Sequence, residues 1–167
     1  MRILVAGVGN VFLSDDGFGV EVVRALHGAL PEGVEVVDTG IRGMHLAYQL
    51  LDGYDVLVIV DAVQRGSEPG TVHTLEHDLD APRDAAPVPA LDAHGMDPAS
   101  VLSLLDGLAG SMGITRPVGR VLVVGCEPAV VTDGIGLSPP VAAAVAPAAR
   151  AVTALVTALM TEEGALT

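Results

Sequence analysis

The sequence contains no lysine and no tryptophan, a single cysteine, two phenylalanines and two tyrosines in 167 residues. With Cys126 alone, an internal disulfide is excluded, and a Cys/His zinc framework would need several such ligands at close spacing. A reducing compartment, the cytoplasm, is the expected setting. Cationic side chains are also scarce: eight arginines face 21 acids, for a formal charge of −13. Affinity for a phosphate backbone comes largely from cations that displace counterions, so nucleic-acid binding is disfavoured. A basic, cationic or metal-bearing partner fits this balance more easily, although acidity also serves simply to keep a protein dispersed. No Gly-x-Ser-x-Gly elbow occurs, and Cys126 at the end of an apolar run reads as a structural thiol, which leaves nucleophilic catalysis without support. The amino terminus lacks signal-peptide architecture. The stretch from Val141 to Met160 is apolar and long enough to raise the question of a membrane span. Its alanine content, Pro147 and Arg150 favour a packed amphipathic helix, and no membrane association is expected.

What is abundant is apolar residue in short runs, at 50% of the chain. That composition belongs to a globular protein, and the length suits one domain spanning 1–167. No repeat or low-complexity linker interrupts it. β-branched runs alternate with helix-like stretches, the pattern of a twisted, mostly parallel sheet flanked by helices in a three-layer α/β domain. Strands are expected at 2–7, 34–40, 54–63 and 119–128, with a more exposed strand at 70–77 reached through a hairpin-type turn at 66–70. Helices are expected at 17–30, 44–51, 98–108 and 141–160. Ser138 can cap the last of these, with two prolines in its first turn.

The segment GVGNVFLSDDGFG after the first strand begins like a dinucleotide-binding loop. Gly7 and Gly9 sit correctly, but Phe12 occupies the third glycine position, and Asp15 and Asp16 would repel a pyrophosphate. In open parallel sheets ligands bind beyond the carboxyl ends of the strands. That rule selects Asp15 and Asp16, Asp61 at the end of a buried strand, His94 in the loop before a helix, and Glu127 after the last core strand. An ionised Asp61 in an apolar run needs compensation, which a metal would supply; a cap on the turn at Ala62 and Val63 would also explain it. Helix capping explains one of Asp15 and Asp16 and the second less well. Two carboxylates and one imidazole make a mixed oxygen and nitrogen site suited to zinc, nickel, manganese or iron. The pair His73 and His77 lies on a strand-like segment beside acids and reads as a solvated edge.

Six segments in order, GVGNVFLSDDGFG, DTGIRGMHL, VIVDAV, DAHGMDP, VVGCEP and GIGLSPPV, resemble the hydrogenase maturation endopeptidases, with coverage from Met1 to about Met160. The resemblance implies a single α/β domain that removes a C-terminal extension from the large-subunit precursor of a nickel-iron hydrogenase once nickel is loaded. It also implies that Asp16, Asp61 and His94 contact the metal and carry catalysis, Asp16 standing where some relatives have glutamate. Asp38, Thr39 and Gly40, at the head of the segment 38–43, are implied in substrate handling. Nickel is then supplied by the substrate, with zinc or another divalent ion able to occupy the site in vitro. A monomer acting in the cytoplasm is expected, and Asp15 is left as a cap or supporting residue. A non-catalytic nickel-recognition or assembly factor is the alternative from another class. A spore-type germination protease is a further enzyme reading, against which the short chain and absent pro-segment argue.

Overall fold

The computed structural model describes residues 1–80 and 98–165. Along the chain run β1 (Ile3–Val8), a 3-10 turn (Ser14–Gly17), α1 (Phe18–Ala25), β2 (Val34–Gly40), α2 (Gly43–Leu50) and β3 (Tyr54–Ala62). They are followed by β4 (Val72–His77), α3 (Pro98–Ser111), β5 (Val118–Cys126) and α4 (Pro139–Ala165). The strands form one sheet in the order β2-β1-β3-β5-β4. The pairs β1–β2, β1–β3 and β3–β5 are parallel, and β4 is antiparallel to β5.

Side chains alternate across a strand, so one apolar run can feed two cores. Ile3 and Val5, Val56 to Val60 at even positions, and Leu122 and Val124 face α1 and α4. Leu4, Ala6, Leu57, Ile59, Val121 and Val123 face α2 and α3. The expected three layers follow directly. Each such side chain, fully buried, contributes roughly 1.5–3 kcal/mol, and in β3 five in succession, Val56 to Val60, are 2% exposed or less. Gly19 lets α1 sit tightly on the sheet: a Cβ there would lie 2.1 Å from the Val60 carbonyl oxygen and 2.4 Å from that of Val8.

α4 is long and apolar enough to span a membrane by length and composition. Val141, Ala144, Ala148, Val152, Val156 and Leu159 follow helical spacing and lie in the core beside β5 and α1, so this is the packed helix the sequence suggested.

Three local expectations change. The turn at 66–70 does not close a hairpin with β3, because β4 pairs with β5 instead, Val72 opposite Cys126. The first helix stops at Ala25, preceded by the separate 3-10 turn; its buried face ends at Leu26, beyond which His27, Gly28 and Ala29 are exposed. Ser138 precedes α4 and its carbonyl accepts from the Ala142 amide at 2.8 Å, but its hydroxyl donates to Asp15.

The chain passes from β1 to β2 on one side and then to β3 on the other. The crevice beyond the carboxyl ends of β1 and β3 is therefore the switch point at which open α/β sheets bind ligands.

Candidate functional site

The turn leaving β1 is built around the side chain of Asp16. Gly9 has φ 136°, and a Cβ on it would fall 1.8 Å from the Asp16 carbonyl oxygen, so no other residue fits. The Asn10 amide donates to Asp16 Oδ2 at 2.7 Å. Asn10 Oδ1 in turn accepts from the Phe12 amide at 2.9 Å, and the Asn10 carbonyl accepts from the Leu13 amide at 3.0 Å. The nucleotide reading fails on this geometry: an amide that would have faced a phosphate is already committed to a carboxylate. Asp16 is half-buried, and its Oδ1 carries no hydrogen bond among the described residues.

Asp61 sits one residue past the β1–β3 pair Gly7 and Val60, close to the same turn. It is 6% exposed, and its Oδ1 accepts from the Ala62 amide at 2.8 Å. The Val63 amide donates to the Cys126 carbonyl instead, so only half of the capping explanation holds. A Cβ on Gly9 would lie 3.8 Å from Asp61 Oδ1, so Gly9 adjoins both the Asp16 backbone and the Asp61 carboxylate. Asp16 and Asp61 line one open cleft of about 400 Å³, with Ala62, Val63, Gln64, Pro98, Pro128 and Val131. His94 lies outside the described residues. Among those residues no group of three His, Cys, Asp or Glu side chains is disposed to hold a metal, and the donor set in view is the carboxylate pair, hard oxygen ligands suited to a divalent ion.

The two adjacent aspartates are used differently. Asp15 is fully buried, does not line the cleft, and accepts four hydrogen bonds. The Ser138 amide donates to Oδ1 at 2.6 Å. The Ala129 and Val130 amides donate to Oδ2 at 2.8 and 2.9 Å, and the Ser138 hydroxyl at 2.8 Å. Burial alone would raise the Asp15 pKa, but donation from the Ser138 amide, Val130, the Ser138 hydroxyl and Ala129 outweighs it and holds the carboxyl below its ordinary value. Asp15 is thus a clamp between the β1 turn and the chain leading into α4. Glu127 is likewise structural: it accepts from the Arg65 amide at 2.7 Å and the Gly66 amide at 3.3 Å. Those amides, Arg65 first, hold its pKa low despite the opposing effect of burial. Cys126 is buried, and desolvation, followed by the negative charge of Asp15, pushes its thiol up to about 11. His73 meets the Ser67 hydroxyl at 3.0 Å. Four residues along a strand span about 13 Å, so His73 and His77 do not form a metal pair.

The segment 38–40 adjoins the site without lining the cleft. The Gly9 amide donates to the Gly40 carbonyl at 3.0 Å. Register slips between β1 and β2 at this point, Gly7 facing Asp38 and Val8 facing Gly40, and Thr39 is the extra residue. Its hydroxyl is buried without a partner among the described residues. Asp38 lies 3.6 Å from Arg24, while its carbonyl accepts from Arg42 at 3.1 Å. Sequence reasoning missed Asn10 as the group that orients Asp16. The turn had a signal, since an asparagine after a turn glycine commonly bonds the backbone two residues on, as Asn10 Oδ1 does with Phe12, but the main-chain amide that meets Asp16 had none. It also missed Val131 and Pro128 as cleft walls, for which no local signal exists.

A family model described as HycI, hydrogenase maturation protease, matches residues 20–155. The chain is 37% identical to the hydrogenase 2 maturation protease of Escherichia coli K12, over 92% of this chain and 90% of that protein. It is 35% identical to the hydrogenase expression/formation protein HupD of Rhizobium leguminosarum, over 76% of this chain but only 59% of the HupD length. Among solved structures, it is similar to the hydrogenase maturating endopeptidase HybD from E. coli, with a TM-score of 0.72 and 34% identity over 94% of this chain and 93% of that one.

Proposed function

Because the chain belongs to the hydrogenase maturation protease family, we propose that it is an endopeptidase that removes the C-terminal extension of a nickel-loaded nickel-iron hydrogenase large-subunit precursor. The observation that carries this reading is the pairing of Asp16 and Asp61 on one open cleft at the switch point of the sheet.

The nickel belongs to the substrate. It arrives in the precursor and is received by Asp16, Asp61 and His94, the last of which precedes the cleft-lining Pro98 by four residues. Two carboxylates and an imidazole suit nickel and equally zinc, so other divalent ions are expected to occupy the site in vitro. Held by these residues, a divalent ion would supply Lewis acidity, to the scissile carbonyl or to a water. The chain's own part is orientation: the Asn10 amide holds Asp16 and the Ala62 amide holds Asp61. Should the metal instead serve only as a recognition handle, Asp16, the more accessible of the two carboxylates, would be the base that takes the proton of the attacking water. The reaction is assigned to the cytoplasm, in keeping with a lone buried thiol, and the protein is assigned as a monomer.

The test is to incubate the protein with precursor, with and without nickel, and to read the mass of the large subunit. Cleavage of the loaded precursor alone is expected, and Asp16→Asn, Asp61→Asn and His94→Ala should each lower the rate by at least about a hundredfold, as loss of a general base does. Normal rates in those variants would overturn the site. Binding of loaded precursor with no change in mass would identify a non-catalytic assembly factor instead.

A further inference from the structure

Four large apolar side chains stand exposed on two loops beside the cleft: Phe12 (65% exposed), Val130 (43%), Val131 (41%) and Ile135 (83%). Single exposed apolar residues are ordinary, whereas a contiguous group marks an interaction surface. Backbone hydrogen bonds bring the two loops that carry this group side by side. The Gly134 amide donates to the Phe12 carbonyl at 2.9 Å and the Ser14 amide to the Gly134 carbonyl at 2.9 Å, so the chain at 12–14 runs beside that at 134–135. The Asp15 amide donates to the Val130 carbonyl at 3.1 Å, and the Asp15 carboxylate holds Ala129, Val130 and Ser138. Ile135 also lines a groove of about 530 Å³ with Val11, Leu137, Ala142 and Val145, whose lining includes the Glu21–Arg24 ion pair of 2.7 Å.

We propose that this apolar rim and its groove form the surface on which the precursor large subunit docks, through an apolar, uncharged face of the precursor next to the cut. The inference rests on the processing function proposed above.

Four observations select that occupant. Val131 belongs both to the rim and to the wall of the cleft that holds Asp16 and Asp61, so the two surfaces are continuous. The cleft takes only a few residues of chain, while a stable protein complex covers about 800 Å² on each partner, so the precursor must be held outside it. In a chain of net charge −13, residues 11–13 carry no charge and the loop 128–138 carries only Asp133, and charge at the groove is confined to its end, where Arg24 pairs with Glu21 and Asp38. The contact this surface rewards is apolar. A second copy of the chain seated here would cover the cleft and block access to Asp16 and Asp61. The loops are also fixed before binding by the Asp15 clamp, which reduces the ordering entropy that docking would otherwise require.

The experiment compares wild-type protein with Phe12→Ser, Ile135→Ser and the double variant, none of which alters a group placed in the catalytic machinery. Steady-state processing of nickel-loaded precursor is expected to show KM raised about tenfold in the double variant, the scale of one lost anchor. The kcat should stay within about twofold, and Phe12→Leu should retain the wild-type KM. Melting curves establish that the variants are folded. An unchanged KM, or a fall in kcat alone, would overturn the proposal. If the wild-type protein does not cut, titration with the same loaded precursor decides the matter: binding weakened by both serine variants upholds the docking surface while the processing reading falls. A wild-type dimer in sedimentation that the serine variants convert to monomer would assign the rim to self-association and refute the proposal.

Discussion

Replacing Asp15 and Asp16 one at a time should separate stability from activity at neighbouring positions. Asp15→Ala removes a fully buried carboxylate that accepts four hydrogen bonds, three from amides and one from the Ser138 hydroxyl. Hydrogen bonds to a charged group are each worth about 1.5–3 kcal/mol, and a buried donor left without its acceptor costs roughly 1–3 kcal/mol. The four are not additive, since Ala129 and Val130 are exposed residues whose amides water can reach once the carboxylate is gone. A loss of about 3–5 kcal/mol is therefore expected, a large share of the roughly 5–15 kcal/mol that stabilises a domain. At this chain length it corresponds to a fall in Tm of about 6–20 °C. Asp16→Ala removes the acceptor of a single amide, that of Asn10, and should cost no more than about 1.5–3 kcal/mol while abolishing processing. The depressed pKa of Asp15 gives a second signature. A carboxyl whose folded pKa lies below its ordinary 3.8 stabilises the fold above that value and loses the contribution as pH falls through the folded pKa. Below about pH 4 the wild-type protein should thus lose stability more steeply than Asp15→Asn. Urea melts at neutral and acid pH measure both effects. If Asp15→Ala melted within about 1 kcal/mol of wild type and Asp16→Ala lost several, the clamp and the ligand would have been assigned the wrong way round.

Two further outcomes follow from the packing. Gly19→Ala should cost at least about 3 kcal/mol or prevent folding, because the added Cβ meets the fixed carbonyl oxygens of Val60 and Val8 at 2.1 and 2.4 Å; a melt near that of wild type would show that α1 is not held against the sheet. Cys126 should resist alkylation at pH 8 in the native state and react readily in urea, since it is buried with its pKa pushed to about 11; a thiol count on native protein checks this, and rapid native labelling would refute the buried placement.

The parts of this molecule legible in the sequence are those written in local pattern. Buried parallel strands have to be apolar on both faces, which is why β1, β3 and β5 were visible as Val- and Ile-rich runs. The switch-point rule then carried Asp16 and Asp61 to one crevice without any knowledge of contacts. The antiparallel pairing of β4 was not legible, because its alternation reports an exposed face and says nothing of which edge it joins. The Asp15 clamp was hidden for a related reason: its donors lie 114 to 123 residues away in sequence. Locally, two adjacent aspartates at the head of a helix look equivalent.

Their difference arises from geometry. Successive residues in a turn point in different directions, so of two neighbours one must face the cleft if the other faces the interior. The interior partner is determined by where β5 and α4 deliver unpaired amides, at Ala129, Val130 and Ser138. Once Asp15 is drawn to them, Asp16 is turned toward the Asn10 amide and the crevice. The consequence is that the carboxylate proposed to bind metal is positioned by a neighbour with no contact to the ligand. Asp15→Gln, too long for the clamp, should therefore lower metal affinity at Asp16 together with stability, which nickel titration and urea melts measure, and an unchanged affinity in a destabilised variant would refute the coupling.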